Sequence, residues 1–315
     1  MTALQFKAQI IVQGVSPAPI VSSYNFSWGD PTGGGWSSPN FNIPGTFVKD
    51  TVMLLEDGTG GMSPQGNPVS QEGCNALINN LTGKIAVIYR NSCEFSLKAL
   101  NAQIAGAVAV IIINNQPTVA GIAGGTYGLS ITIPVVMISS TDGGQLVTEM
   151  GNGPVVMFLG NKIGAFANDI GAISNTALVS HYGGVYDEQF DGFDLGIEIY
   201  NFGQSIQNNA TVQATIDGPG GNVFDETIAL ASINPGDAVS IFNGNTYQFS
   251  SFTLGGIGSY PTGLYTLTYT LALGVVDDSD FDNVLVSTFT VNNQTLALSN
   301  VDLVGLPEVN SYPSN

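Results

Sequence analysis

Three short apolar runs constrain this chain more than any other feature. They are "KIAVIYR" (Lys84–Arg90), "AVAVIII" (Ala107–Ile113) and "IPVVMIS" (Ile133–Ser139). In the latter two the apolar residues run on without a polar alternate, which suits strands covered on both faces rather than strands with one wet side. Even the longest apolar stretch, Ile104 to Ile113, is too short to span a bilayer. Helical segments separate the runs. "EFSLKALNAQIAG" (Glu94–Gly106) carries apolar Phe95, Leu97, Leu100 and Ile104 and stops at a glycine. Ser92 is its candidate N-cap, and Glu94 favours the positive helix start. "STDGGQLVTEM" (Ser140–Met150) begins with cap residues, and "PVVMFLG" closes the unit as a strand. A glycine-rich loop, "AGIAGGTYGLS" (Ala120–Ser130), lies between.

The flanking regions read differently. "SWGDPTGGGWSSPNFNIPG" (Ser27–Gly45) is dense in Gly, Pro and Ser and contains both tryptophans, Trp28 and Trp36, so a long ordered loop is expected. Strands are expected at Phe6–Val12 and Thr46–Leu55. After Lys162 the pattern holds strands only: Ala177–His181, Phe193–Tyr200, Ala210–Ile216, Val223–Ala231, Ala238–Phe242, Tyr247–Leu254, Gly263–Leu273 and Val284–Val291. Short strands at near-regular spacing indicate a β-sandwich. The expected organisation is an α+β domain over 1–165 (a mixed sheet with flanking helices), an all-β sandwich over 166–295, and a linker or tail over 296–315.

Charge follows the same division. The six basic residues all precede Ile163, whereas sixteen of the 24 acidic residues lie from Asp169 onward. The net charge of −18 argues against nucleic acid and anionic lipid as partners. Charged residues make up 10% of the chain, against about 25% in an average protein, which suits a secreted, β-rich protein. The start shows no secretory signal and the tail resembles a cut within a linker, so a fragment of a longer extracellular or cell-surface chain is expected.

The two cysteines, Cys74 and Cys93, stand 19 positions apart. On the residues alone they are a redox pair, metal ligands, two unrelated thiols or one disulfide. The surrounding ladder is more specific. Cys74, Gly83–Arg90, Cys93, Phe95, Lys98, Asn101–Gly106, Val108–Asn115 and Ile133–Ser139 occur in the order seen in the protease-associated (PA) domain, which this stretch resembles over roughly residues 65–160. "RNSC" stands where that family often has "RGxC", and the tryptophan-bearing segment has no counterpart in the motif. The resemblance implies a small α/β fold, a disulfide between Cys74 and Cys93, and a non-catalytic role. That role is to bind peptide or protein, or to pack on a catalytic module of the same polypeptide. The strand-rich remainder resembles immunoglobulin-like or adhesion-type modules of secreted bacterial multi-domain proteins.

Catalytic chemistry finds little support in the sequence. The one histidine, His181, excludes H-E-x-x-H and has no G-x-S-x-G partner. A carboxylate pair would be sought in "YDEQFDGFD" (Tyr186–Asp194), at Asp187, Glu188, Asp191 and Asp194. The expectation is a non-enzyme. For a cofactor the candidate is calcium, at Asp278, Asp280, Asp282 and Asn283 of "VVDDSDFDNV", where acidic residues alternate. The candidate peptide-binding loop is Gly124, Gly125, Thr126 and Tyr127. The leading function is thus an accessory interaction region, with the sandwich as spacer or docking module. The alternatives are a structural adhesin or filament component, and a hydrolase with an unrecognised carboxylate site.

Overall fold

The computed structural model describes residues 10–173, 176–180, 183–188, 190–255 and 258–293. The chain divides into two compact units, Met1–Ile163 and Gly164–Asn315.

The first unit is built on a seven-stranded mixed sheet. Its strands are β1 (Ile10–Ser16), β2 (Phe26–Trp28), β3 (Phe47–Leu54), β4 (Ile85–Tyr89), β5 (Ala109–Ile113), β6 (Val135–Ile138) and β7 (Val156–Asn161), in the order β1-β7-β3-β4-β5-β6-β2. The three apolar runs become β4, β5 and β6 and sit side by side in the middle. They pair in parallel with one another, and β3 pairs parallel to β4. The outer pairings are antiparallel.

The period of two explains why these runs need no polar alternates. Ile85, Val87, Ala109, Ile111, Ile113, Val136 and Ile138 point into one core, with Leu146, Val147 and Met150 of helix α2 (Ser140–Asn152). Ala86, Ile88, Val110, Ile112, Val135 and Met137 point into the other, with Ala99 and Ala102 of helix α1 (Phe95–Ile104). Each face of the central strands therefore has its own helix.

The two helices begin differently. At α2 the Asp142 N–H donates to the Ser139 Oγ at 3.0 Å, and that hydroxyl donates back to the Asp142 carboxylate at 2.7 Å. At α1 the cap position is Glu94, not Ser92, and its side chain makes no capping bond. The buried face of α1 also departs from the apolar spacing. Ser96, Lys98, Ala99 and Ala102 are buried, while Ile104 is 75% exposed.

The second unit contains a three-stranded sheet, β13-β10-β8, and a five-stranded sheet, β12-β11-β14-β15-β9. The strands are β8 (Ile170–Ala172), β9 (Gly184–Tyr186), β10 (Ile197–Asn201), β11 (Thr211–Gly218), β12 (Gly221–Ala229), β13 (Ala238–Ile241), β14 (Gly263–Ala272) and β15 (Val284–Asn292). Both sheets contribute to one core, where Ile170, Ile197, Ile199 and Ile241 meet Val212, Ile216, Leu267 and Phe289. Tyr269 is fully buried there with its hydroxyl satisfied. It donates to the Leu178 carbonyl at 2.8 Å and accepts from the Gly196 N–H at 3.0 Å.

Three expectations need revision. Residues 177–180 form no strand and carry one isolated bridge, Leu178 with Gly196. Residues 247–254 do not form a strand; among them Phe252 bridges Phe193 and Tyr247 bridges Ile241 as isolated pairs. The buried side chains of Phe249 and Phe252, not a backbone ladder, hold this segment. The strands β8 and β9, three residues each, are too short to announce themselves. His181, most of the strand predicted at Phe6–Val12 and the tail from 296 lie outside the described residues.

Helix α2 offers a paired test of packing. A Cβ on Gly143 would lie 2.3 Å from Ile113 Cγ2, on a stiff β-branched side chain, whereas one on Gly144 meets nothing within 4 Å. Overpacking costs about 1–3 kcal/mol and the helix-propensity gain from alanine is at most about 1 kcal/mol. Gly143→Ala is therefore expected to lower the urea midpoint, and Gly144→Ala to raise it slightly.

Candidate functional site

Helix α1 organises the surface around the disulfide. The Cys74–Cys93 bond forms with the Cα atoms 5.9 Å apart and joins the loop before β4 to the start of the helix. One turn in, Lys98 is completely buried. Its Nζ donates to the Glu72 carbonyl at 2.6 Å and lies 3.7 Å from the Cys74 Sγ. Three residues on, and so on the same helix face, the Asn101 Nδ2 donates to the Gly73 carbonyl at 2.9 Å. The Glu72 carboxylate, itself buried, accepts from Asn91 Nδ2 at 3.0 Å and from the Ser92 N–H at 3.1 Å. A buried cation and a buried anion thus fasten the loop on both sides of the disulfide. Desolvation lowers the Lys98 pKa to about 8, although Glu72 and Asp57 oppose the shift.

The glycine-rich loop is held from two directions. The Thr126 N–H and Oγ1 donate to the Glu94 carboxylate at 2.8 and 2.9 Å, and the Tyr127 N–H donates to Ser96 Oγ at 3.3 Å. The Thr126 bonds hold the Glu94 carboxyl below its ordinary pKa. From the other side comes the tryptophan segment. Trp36 is buried, and its Nε1 donates to the Ile122 carbonyl at 3.2 Å. The Ser37 N–H donates to the Gly128 carbonyl at 3.1 Å. A Cβ on Gly124 or Gly128 would fall 1.7 or 2.1 Å from the Gly35 carbonyl oxygen, so both positions require glycine for this close approach. Of the four predicted loop residues, Gly124 is buried in that contact. Gly125, Thr126 and Tyr127 are exposed, and Leu129 beside them is 69% exposed. The result is an anchored rim with an apolar, aromatic outer edge.

Residues 63–146 match the model of the PA domain family. This stretch is a PA domain. Among curated proteins the chain is similar to aminopeptidase YwaD of Bacillus subtilis, 42% identical over 125 residues, which are 35% of this chain and 27% of the relative. It is also similar to signal peptide peptidase-like 2 of Arabidopsis thaliana, 36% identical over 84 residues, which are 26% of this chain and 16% of the relative. The chain thus spans about a quarter or less of these relatives' lengths. A solved structure described as a zinc aminopeptidase from Bacillus subtilis overlaps 57% of this chain and 38% of its own, at 21% identity and a TM-score of 0.28.

Two expectations are corrected here. The expected non-enzyme is overturned by the curated relatives, since the stretch matched at 42% identity lies within a protein named as an aminopeptidase. Calcium is corrected as well, because the acidic loop has a different use. Asp277, not the alternating set, is central to it. Its carboxylate accepts from the Ile170 N–H at 3.1 Å, the Ser279 N–H at 2.9 Å and Asn283 Nδ2 at 3.0 Å. The Asp278 carboxylate accepts from the Asn168 N–H at 2.9 Å. Asp280 is exposed, and the Asp282 carboxylate packs on Gly171. These oxygens tie the β14–β15 hairpin loop to the segment entering β8. Among the described residues no group of three or more His, Cys, Asp or Glu is placed to hold a metal ion. Nor do the residues suit zinc, because the two cysteines are bonded to each other and the chain has one histidine.

The second acidic cluster is spread over separate local contacts. The Glu188 carboxylate accepts from the Tyr186 hydroxyl at 2.9 Å. Asp194 accepts from Ser251 Oγ and Asn243 Nδ2, which lower its pKa.

Lys98 makes stability depend on pH in a defined direction. Its pKa falls from 10.5 unfolded to about 8 folded, so the unfolded chain binds more protons between those values. Stability from this group is expected to rise with pH across that window, by on the order of 2 kcal/mol between pH 8 and 10. Urea titrations of the wild type and Lys98→Met should diverge there; parallel curves would show that burial exerts no such effect. The Cys74→Ala/Cys93→Ala variant is expected to lose about 3 kcal/mol in the same assay.

Proposed function

We propose that this chain is the PA-bearing region of a secreted or cell-surface peptidase of the aminopeptidase type, and that its first unit receives peptide or protein at the rim Gly124–Tyr127. The observation that carries this reading is the alignment of 125 residues at 42% identity with an aminopeptidase. The anchored rim supports it. A binding edge works best when its backbone is already fixed, because little ordering entropy is then lost on contact. Tyr127 and Leu129 supply exposed apolar area, and Thr126 supplies a hydroxyl.

On this reading the PA domain occupies 1–165 and helps to select or present substrate to a catalytic module of the same polypeptide. The second unit, over 166–295, is an immunoglobulin-like sandwich that spaces or docks the first. An extracellular place suits the disulfide, since such bonds persist in oxidising compartments. Among the described residues no helix is long and apolar enough to cross a membrane.

Fluorescence anisotropy with labelled octapeptides bearing a free N-terminal leucine tests the reading. Micromolar binding is expected, weakened about tenfold by Tyr127→Ala, as for a truncated aromatic anchor. Binding absent at millimolar concentration, or unchanged in Tyr127→Ala and Thr126→Ala, would remove the rim from the proposal.

A further inference from the structure

The two sulfurs of the disulfide stand in unlike surroundings. Cys93 is exposed, between exposed Ser92 and Glu94, and its backbone is in the left-handed region at φ 52°. Cys74 is half-buried, and its Sγ lies 3.7 Å from the Nζ of a lysine with no solvent exposure. In thiol–disulfide exchange the attacked sulfur must be reachable, and the departing sulfur leaves as an anion. A neighbouring cation lowers the free energy of that anion. Here reach and cation belong to opposite ends of one bond.

We propose that the Cys74–Cys93 disulfide is a thiol–disulfide exchange site for small-molecule thiols, entered at Cys93 and expelling Cys74 as a thiolate held by the Lys98 ammonium. The incoming thiolate bonds to the Cys93 Sγ as the Cys74–Cys93 bond breaks, and that bond's electron pair remains on the Cys74 Sγ. A second external thiolate then removes the attached sulfur from Cys93. The external pair leaves as its own disulfide, and the Cys93 thiolate takes a proton from water. Two external thiols are oxidised and one protein disulfide is reduced. The bonds of Asn101 to the Gly73 carbonyl and of Glu72 to Asn91 and Ser92 do not involve sulfur. The loop therefore keeps its place after the bond opens, and the step is reversible.

Cysteamine, a cationic monothiol, is a suitable probe for a chain of net charge −18. The folded wild type is treated with limiting cysteamine, quenched in acid, alkylated and mapped by peptide mass. The adduct is expected on Cys93 and the alkyl group on Cys74, in a ratio of about ten to one. An even split, or an adduct mainly on Cys74, would overturn the proposal. Lys98→Met provides the second arm, read as the equilibrium constant for reduction in cysteamine/cystamine buffers. Loss of the cation is expected to make reduction about tenfold less favourable. If Lys98 served only to hold the loop, its removal would loosen the segment and make reduction easier, so a change in that direction, or none, refutes its role. Should Lys98→Met not fold, the adduct map of the wild type decides.

Discussion

An ammonium with no access to water has to be held by the groups around it, or it will not stay charged. In the first unit that demand falls on the loop from Asp57 to Cys74. Lys98 meets the Glu72 carbonyl, with the carboxylates of Glu72 and Asp57 close enough to oppose its loss of charge. Those carboxylates are themselves placed by backbone N–H groups, of Ser92 for Glu72 and of Thr59 and Asn75 for Asp57. One buried charge thus fixes the loop before β4, the start of α1 and the path between β4 and α1. The disulfide closes a geometry that these bonds already define. Helix α1 can sit that close because its inward face is otherwise Ser96, Ala99 and Ala102.

This arrangement sets what a reader of the sequence could see. The central strands were legible because uninterrupted apolar runs have few other fates. Cys74 and Cys93 were legible through the ordered ladder of family motifs, Glu94 as a residue suited to a helix start, and the loop 120–130 through its glycines. The orientation of α1 was not. Phe95, Leu97, Leu100 and Ile104 suggest an apolar stripe, yet the face that packs is made of small residues and a lysine. The available signal was the spacing of Ser96, Ala99 and Ala102, three apart, which marks a helix face close to another backbone. Lys98 and Asn101 were visible as letters of the motif, but their shared task of binding successive loop carbonyls follows only from the fold. The tryptophan segment gave no motif at all, because its contribution is a backbone carbonyl at Gly35 and a buried indole.

The second unit shows why a pattern of like residues is weak evidence for a site. Alternating aspartates suggested cation ligands. In the structure the neighbour just outside the alternation, Asp277, accepts two backbone N–H groups and an asparagine amide. Acidic side chains in loops compete for nearby amide donors as readily as for ions. With no lysine or arginine in this half, amides and hydroxyls supply most of the donors. Strand prediction failed there for a related reason: residues 247–254 have the alternation of a strand, but their phenylalanines reach the core without a continuous ladder.

The contact between Gly35 and the pair Gly124 and Gly128 contains no side chain. Support and recognition are therefore written in different positions of the same loop. Glycines and a buried indole carry the scaffold, while Thr126, Tyr127 and Leu129 face outward and bear none of its weight apart from the Thr126 bonds to Glu94 and the Tyr127 N–H bond to Ser96 Oγ. Such a surface can be rewritten residue by residue without moving the frame beneath it. A lineage could change what the rim contacts while the fold stayed constant, and a protein engineer could do the same by randomising Tyr127 and Leu129 alone.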